Sequence, residues 1–195
     1  MDFNRERDED AADAERVVRG NSRAFESIVD RWQLRLVNLA WRFCRDRDLA
    51  EDMAQEAFIR AFKSLAAFRG DSSFSTWLTA IAINVYRSRV RKEGLPLLTL
   101  DLTARAAYDH AILDGIIKVE TAELVRRAVL TLPPKYKEAI LLYYFEERSV
   151  SAAAVALGIA EGTLKARLHR ARGLLERRCR RLGIDEEALL RDELR

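Results

Sequence analysis

Apolar residues recur along this chain at three- and four-residue spacing, and strand-like alternation is nearly absent. The pattern predicts an all-helical protein. Residues 1 to 12 read as a frayed acidic tail, and a first helix is expected from about Asp13, with Val17 and Val18 as its apolar positions. Gly20-Asn21 breaks it. Ser22 is placed to cap the next helix, whose Phe25, Ile28, Val29 and Trp32 form a core face that continues through Leu36, Val37, Leu39, Ala40 and Phe43. It ends between Arg45 and Asp48. Asp48 is then expected to cap LAEDMAQEAFIRAFKSL, with Met53, Ala57, Ile59, Phe62 and Leu65 as packing residues. A Gly- and Ser-rich loop follows in FRGDSSFSTW, residues 68–77, and Ser75 is the expected cap of TWLTAIAINVYRSRVRK.

Pro96 stops the helical pattern, and residues 94–120 read as an unusually apolar linker. A helix is expected over about Thr121 to Leu130. Pro133-Pro134 opens another, where proline is tolerated in the first turn, with Ala139, Ile140, Leu142, Tyr143 and Phe145 for packing. The next stretch, SVSAAAVALGIAEGTLKARLHRARGLLERR, reads as two helices around a tight turn. Ser149 caps the first, Val150 to Leu157. Gly158 stands where a left-handed residue is favoured, and Ile159 plugs the turn. The second helix starts near Glu161 and sets Leu164, Leu168, Ala171 and Leu175 on one face. Lys165, His169 and Arg172 form a basic face flanked by Arg167 and Arg170. An apolar face to dock and a basic face to present suit a helix that enters a DNA major groove. The same pattern also fits an ordinary solvated surface helix. Residues 183–195 read as a short amphipathic tail of mixed charge.

Length and composition allow one medium domain or two small ones: 195 residues, of which 49% are hydrophobic, suffice for a core. The formal charge is only +3, but it is unevenly distributed. The first fifteen residues are mostly acidic, whereas Lys165 to Arg181 is almost wholly basic, which points to a nucleic-acid-facing end. Two cysteines, Cys44 and Cys179, form no CxxC pair, so neither a disulfide framework nor a zinc site is expected. Cys44 reads as a small buried hydrophobe. No signal peptide and no bilayer-spanning run is evident, which predicts a cytoplasmic protein without membrane insertion. His110 and His169 stand apart from any cysteine or paired carboxylates, and no glycine-rich phosphate loop is present. No catalytic residue, metal, cofactor or small-molecule substrate is therefore expected.

Two features of the first half carry candidate chemistry. Glu51, Asp52, Gln55 and Glu56 crowd the start of one helix. They either favour its macrodipole or form a docking surface for a basic partner. Phe68, Phe74 and Trp77 surround the loop, and Tyr86, Arg87, Arg89, Arg91 and Lys92 follow on the next helix. Aromatics beside a basic helix end could hold unpaired bases, or the same rings could be core residues that pin the loop.

With these residues in view, the chain resembles a bacterial RNA polymerase sigma factor of the extracytoplasmic-function class, in the sigma-70 family. DLAEDMAQEAFIRAFKSL and FRGDSSFSTWLTAIAINVYRSRVRK are similar to region 2, and LPPKYKEAILLYYFEERSVSAAAVALGIAEGTLKARLHRARGLL is similar to region 4. The resemblance covers nearly all of residues 22 to 180. It implies a region 2 domain over residues 13–93, the flexible linker 94–120 and a region 4 domain over 121–182. It implies that Glu51, Asp52, Gln55 and Glu56 dock on the clamp coiled coil of the polymerase largest subunit. Phe68, Arg69, Gly70, Asp71, Ser72, Ser73, Phe74, Trp77, Asn84 and Arg87 would hold the melted −10 element. Thr163, Lys165, Ala166, Arg167, His169 and Arg170 would meet the −35 element. An anti-sigma factor is the implied inhibitor.

The helix-turn-helix departs from the family, which usually reads close to SYEEIAEILG where this chain has SVSAAAVALG. Ala152 replaces the glutamate of a capping box, Ala153 and Ala156 replace larger aliphatics, and Arg148 stands where an apolar residue is common. A lightly packed helix-turn-helix is expected. The rival expectations are a stand-alone dimeric helix-turn-helix regulator, and a degenerate sigma-like protein that sequesters an anti-sigma factor.

Overall fold

Every element among the described residues of the computed structural model is helical; these residues are 3–92, 125, 128–146 and 148–181. The chain forms two compact units. One comprises Met1–Leu95 with Ser151–Ala160, and the other comprises Pro96–Val150 with Glu161–Arg195. The expected linker and the amphipathic tail lie outside the described residues, as do residues 121–124, 126 and 127 of the helix expected from Thr121.

The first unit is built on α1 (Phe3–Val18), α2 (Ala24–Cys44), α3 (Arg47–Ser64) and α4 (Phe74–Lys92), with a short 3-10 turn over Leu65–Ala67. α3 packs against both α2 and α4, and α1 lies against α2, α4 and the 3-10 turn. The face of α3 that enters this core is mostly small residues, with Met53 and Phe58 among them. Ala50, Ala54, Ala57 and Ala61 are all buried, with Met53 filling the space between them. α2 supplies Ile28, Trp32, Leu36, Leu39, Ala40 and Phe43, and α4 supplies Leu78, Ala82, Ile83, Val85 and Tyr86. Tyr86 is fully buried, and its hydroxyl donates to the Leu36 carbonyl at 2.9 Å, so its one polar atom is satisfied.

Several local expectations are corrected. Residues 3 to 12 are not a frayed tail, because α1 begins at Phe3. Asp10 and Asp13 of α1 are buried at 1% and 2% exposure, which a free tail could not be. Trp32 Nε1 donates to Asp10 at 3.0 Å, Arg31 Nε donates to the same carboxylate at 3.0 Å, and Arg31 Nη2 reaches Asp13 at 2.5 Å. Arg16 also pairs with Asp13. Ser22 does not cap α2. The chain enters through a turn whose N-cap, Arg23, makes no side-chain capping bond.

Asp46, rather than Asp48, caps α3: it is extended and accepts from the Leu49 N–H at 2.9 Å. Just before it, Arg45 takes a left-handed conformation at φ 58° and ends α2, its guanidinium 3.9 Å from the Trp41 ring centre. Ser73, rather than Ser75, caps α4, accepting from the Thr76 N–H at 3.2 Å. Ile59, expected to pack, is 48% exposed, whereas Phe62, though 44% exposed, packs edge-on against Phe25 with ring centres 5.1 Å apart. Cys44 is buried as expected, and Cys179 is buried too, which pushes its thiol above the ordinary range.

Ser151–Ala160 carries most of α6 (Val150–Leu157), with Ala153, Ala154, Ala156 and Leu157 buried. Gly158 has φ 66°. Its N–H bonds the Val155 carbonyl, and the Ile159 N–H bonds the Ala154 carbonyl. That pair of bonds closes the helix end with a Schellman motif, as the glycine predicted.

The second unit contains α5 (Pro134–Ile140), which opens on proline as expected, a π-helical turn over Leu141–Phe145, and α7 (Glu161–Arg181). α5 packs along α7. Their shared core gathers Ala139, Ile140 and Leu142 with Leu164, Leu168, Ala171, Leu175 and Cys179.

Candidate nucleic-acid interface

The loop between the 3-10 turn and α4 is held by its own side chains. Gly70 at φ 77° reverses the chain. Besides capping α4, the Ser73 hydroxyl lies 3.0 Å from that of Ser75 and 2.8 Å from that of Thr76. Ser72 Oγ donates to the Ser73 carbonyl at 3.4 Å. Arg69 and Asp71, both 84% exposed, face each other at 3.7 Å on the loop's outer edge. Phe68, Phe74 and Trp77 form a three-ring cluster with centres 5.1 to 5.7 Å apart. The rings differ in access. Phe74 is 2% exposed and belongs to the core, while Phe68 and Trp77 are half-buried. The core reading therefore describes Phe74 alone. Asn84 is exposed on α4, seven residues and so nearly two turns beyond Trp77, with the half-buried Arg87 one turn further on.

On α3, Glu51, Asp52 and Gln55 are exposed and Glu56 is half-buried. The carboxylates meet arginines of the same unit. Arg47 pairs with Glu51 at 3.0 Å and Arg60 with Glu56 at 2.5 Å, each four residues along the helix. Arg89, near the end of α4, bridges across to Glu56 at 3.6 Å and to Asp52 at 3.9 Å. Sequence reasoning missed this bridge, which joins two residues on different helices.

On α7, Thr163, Lys165, Ala166, His169 and Arg170 are exposed and Arg167 is half-buried, opposite the buried Leu164, Leu168, Ala171 and Leu175. Two of its arginines are oriented by phenols. Arg172 Nε donates to the Tyr144 hydroxyl at 2.8 Å. Arg170 hydrogen-bonds Tyr136, and that contact, with the nearby Lys135, holds the Tyr136 phenol below its ordinary pKa. Unlike the carboxylates facing the arginines of α3 and α4, a neutral phenol orients a guanidinium without cancelling its charge. Neither tyrosine was singled out for this role from sequence, since each lies about thirty residues from its arginine.

Comparison with known proteins decides what these surfaces belong to. The sequence pattern of Sigma-70 region 2 matches residues 28–95, and that of Sigma-70, region 4 matches residues 122–175. The chain is 36% identical over 173 residues to the RNA polymerase sigma-H factor of Pseudomonas aeruginosa, an alignment covering 84% of this chain and 90% of that protein.

The chain belongs to the extracytoplasmic-function sigma factors.

This sigma factor is also 34% identical over 177 residues to the extracytoplasmic-function sigma factor SigW of Bacillus subtilis, covering 85% of this chain and 94% of that one. Its structure is similar to that of CnrH in complex with the cytosolic domain of CnrY, with a TM-score of 0.65 and 27% identity over 87% of this chain and 96% of that one. It is likewise similar to the sigma factor RpoE of Bartonella quintana, solved with the anti-sigma factor NepR. There the TM-score is 0.63 and the identity 25%, over 80% of this chain and 96% of that one. The relatives are transcription initiation factors. Among the sigma factor's described residues, no cluster of three or more His, Cys, Asp or Glu could hold a metal, and no helix is long and apolar enough to cross a membrane.

Proposed function

We propose that this chain is an alternative sigma factor that binds core RNA polymerase, recognises the −10 and −35 promoter elements, melts the promoter and directs transcription initiation under the control of an anti-sigma factor. The observation that carries the reading is the preorganised loop from Phe68 to Phe74. Its Ser73 caps α4, and its rings lead onto the flank of α4 that bears Asn84 and Arg87. A stand-alone duplex-binding regulator has no use for such a loop.

The division of labour follows from chemistry. Unstacking a base costs a few kcal/mol, and stacking on an aromatic face returns about 1–3 kcal/mol per base. Phe68 and Trp77 have accessible ring surface for this, and Phe74 backs them from the core. Arg69, Gly70, Asp71, Ser72 and Ser73 shape the pocket, while Asn84 and Arg87 hold the same strand. Melting is then driven by trapping unpaired bases. Glu51, Asp52, Gln55 and Glu56 dock on the clamp coiled coil of the polymerase. Thr163, Lys165, Ala166, Arg167, His169 and Arg170 enter the −35 major groove, where the exposed Ala166 allows close approach and the cations meet phosphates and guanine edges.

We assign polymerase docking and the −10 element to residues 13–93 and the −35 element to residues 121–182, with 94–120 as the linker. The factor acts on cytoplasmic polymerase and performs no reaction of its own; bond formation rests with the polymerase. The region 2 match and the length of the aligned relatives argue against a plain helix-turn-helix regulator.

The test is promoter-directed transcription with core polymerase and this protein. Discrete start sites are expected. They should vanish in the Asp52→Ala, Gln55→Ala double variant, and each of Lys165→Ala and Arg170→Ala should weaken promoter binding by roughly 5- to 100-fold, corresponding to about 1–3 kcal/mol per base contact. Tight binding to duplex DNA without polymerase, and no transcripts with it, would show a stand-alone regulator instead.

A further inference from the structure

The arginines of α7 stand in unlike surroundings. Arg180 is matched by Glu176, four residues back, at 2.6 Å. Arg178 turns to the Thr131 hydroxyl and the Ala128 carbonyl. Arg172 is exposed, and among the described residues no carboxylate pairs with it. Its partner is a phenol. Nε donates to the Tyr144 hydroxyl at 2.8 Å, with the guanidinium carbon 5.9 Å from the ring centre. That ring is itself held in place: Tyr144 is half-buried and meets Tyr143 edge-on, the centres 4.8 Å apart and the planes at 88°. The bond uses only the Nε donor, so both terminal nitrogens of the fork remain for an outside acceptor.

The place of Arg172 on the helix says which acceptor. Lys165, His169 and Arg172 succeed one another at four- and three-residue spacing, and all are exposed. Lys165 and His169 are assigned above to the −35 major groove. Arg172 borders the buried Leu168 and Leu175, and it lies about 120° around the helix from Ala166. With Ala166 towards the base edges, Arg172 is on a flank. A helix about 10–12 Å across fills a major groove about 12 Å wide, so its flanks meet the groove walls. Those walls are the sugar-phosphate backbones.

We infer that Arg172 contacts a backbone phosphate of the −35 duplex and that Tyr144 is the positioning residue that presents it. Neither belongs to the set assigned to that element above. Arg172 supplies the charge and the two terminal nitrogens. Tyr144 fixes the long side chain before DNA arrives, which lowers the entropy lost on binding. A carboxylate at position 144 would fix it as well but would cancel the charge that draws the phosphate. The contact carries no sequence information; it sets the register of α7 and adds affinity. The inference rests on the −35 reading of α7.

The experiment measures binding of holoenzyme, the full chain with core polymerase, to a promoter duplex over a range of salt. Wild type is compared with Arg172→Gln, Tyr144→Phe and Tyr144→Glu, and Lys165→Ala serves as the marker of the −35 reading. Arg172→Gln should flatten the slope of log affinity against log salt by about 0.9, so that its deficit grows about eightfold for each tenfold dilution of salt. Tyr144→Phe keeps the ring against Tyr143 and every charge. Its affinity should fall by about two- to tenfold at an unchanged slope. Tyr144→Glu pairs with Arg172 and should flatten the slope as far as Arg172→Gln does. A wild-type slope in Arg172→Gln would overturn the phosphate contact, and wild-type affinity in Tyr144→Phe would overturn the positioning role. If Lys165→Ala binds like wild type, the −35 reading of α7 falls and this inference with it. If Lys165→Ala weakens binding while Arg172→Gln and Tyr144→Phe match wild type, the inference falls alone.

Discussion

α1 carries Asp8, Glu9, Asp10 and Asp13, and α3 carries Asp48, Glu51, Asp52 and Glu56. On composition the two runs are alike, yet the fold places them in different dielectric surroundings. Asp10 and Asp13 are withdrawn from water and held by Arg31, Trp32 and Arg16. Glu51 and Asp52 stay at the surface, against arginines that water also reaches. A charge pair out of water holds structure, since removing one partner strands the other. A pair in water holds little and can be remade with another molecule. The first run locks α1 to the bundle; the second remains available for exchange.

The largest test of this contrast is Arg31→Met. It leaves Asp10 and Asp13 buried without their shared cation, and the expected loss is about 3 kcal/mol of unfolding free energy in a urea titration. A loss below about 1 kcal/mol would show that α1 is not locked by these charges.

A smaller effect is expected from acid. Burial raises the Asp13 carboxyl, but hydrogen bonds and charge from Arg31 and Arg16 outweigh it and hold the group below its ordinary value of 3.8. A carboxyl depressed on folding contributes stability above its unfolded pKa and loses it as pH falls through the folded one. Wild type should therefore be more stable than Asp13→Asn at neutral pH, with the gap narrowing below about pH 4. A gap independent of pH in the same titrations would place the effect in packing rather than charge.

The smallest effect belongs to α3: Glu51→Gln should change unfolding free energy by no more than about 0.5 kcal/mol, because its partner Arg47 is 66% exposed. A loss comparable to that of Arg31→Met would erase the distinction between the two runs.

What could be read from the sequence divides along the same physical line. The helices α2, α4, α5, α6 and α7 follow from apolar spacing and from glycine and proline, which act within a few residues. The Gly158 turn and the buried stripe Leu164, Leu168, Ala171 and Leu175 came out as expected. Of α1 only the part from Asp13 was expected; residues 3–12 were not, because what holds them down is a set of carboxylates whose partners are about twenty residues away, and a local pattern cannot see them. Caps were misplaced by two residues at both α3 and α4, where adjacent Asp or Ser residues offered equivalent candidates and only backbone conformation chose Asp46 and Ser73. On α7 the division into an exposed polar face and the buried stripe was legible from helical spacing. The arginine bridge to α3 and the phenols behind Arg170 and Arg172 were not, since each joins two helices.

The π turn at Leu141–Phe145 has a consequence for counting. Such a turn fits an additional residue into the helix, so everything after it is rotated by about 100° relative to an uninterrupted α-helix. Tyr144, the ring that steadies Arg172, owes its direction to that extra residue. A helical wheel drawn through Ala139 to Phe145 drifts out of phase midway. A homologue one residue shorter there would align letter for letter on both sides of the gap and still point a different side chain at α7.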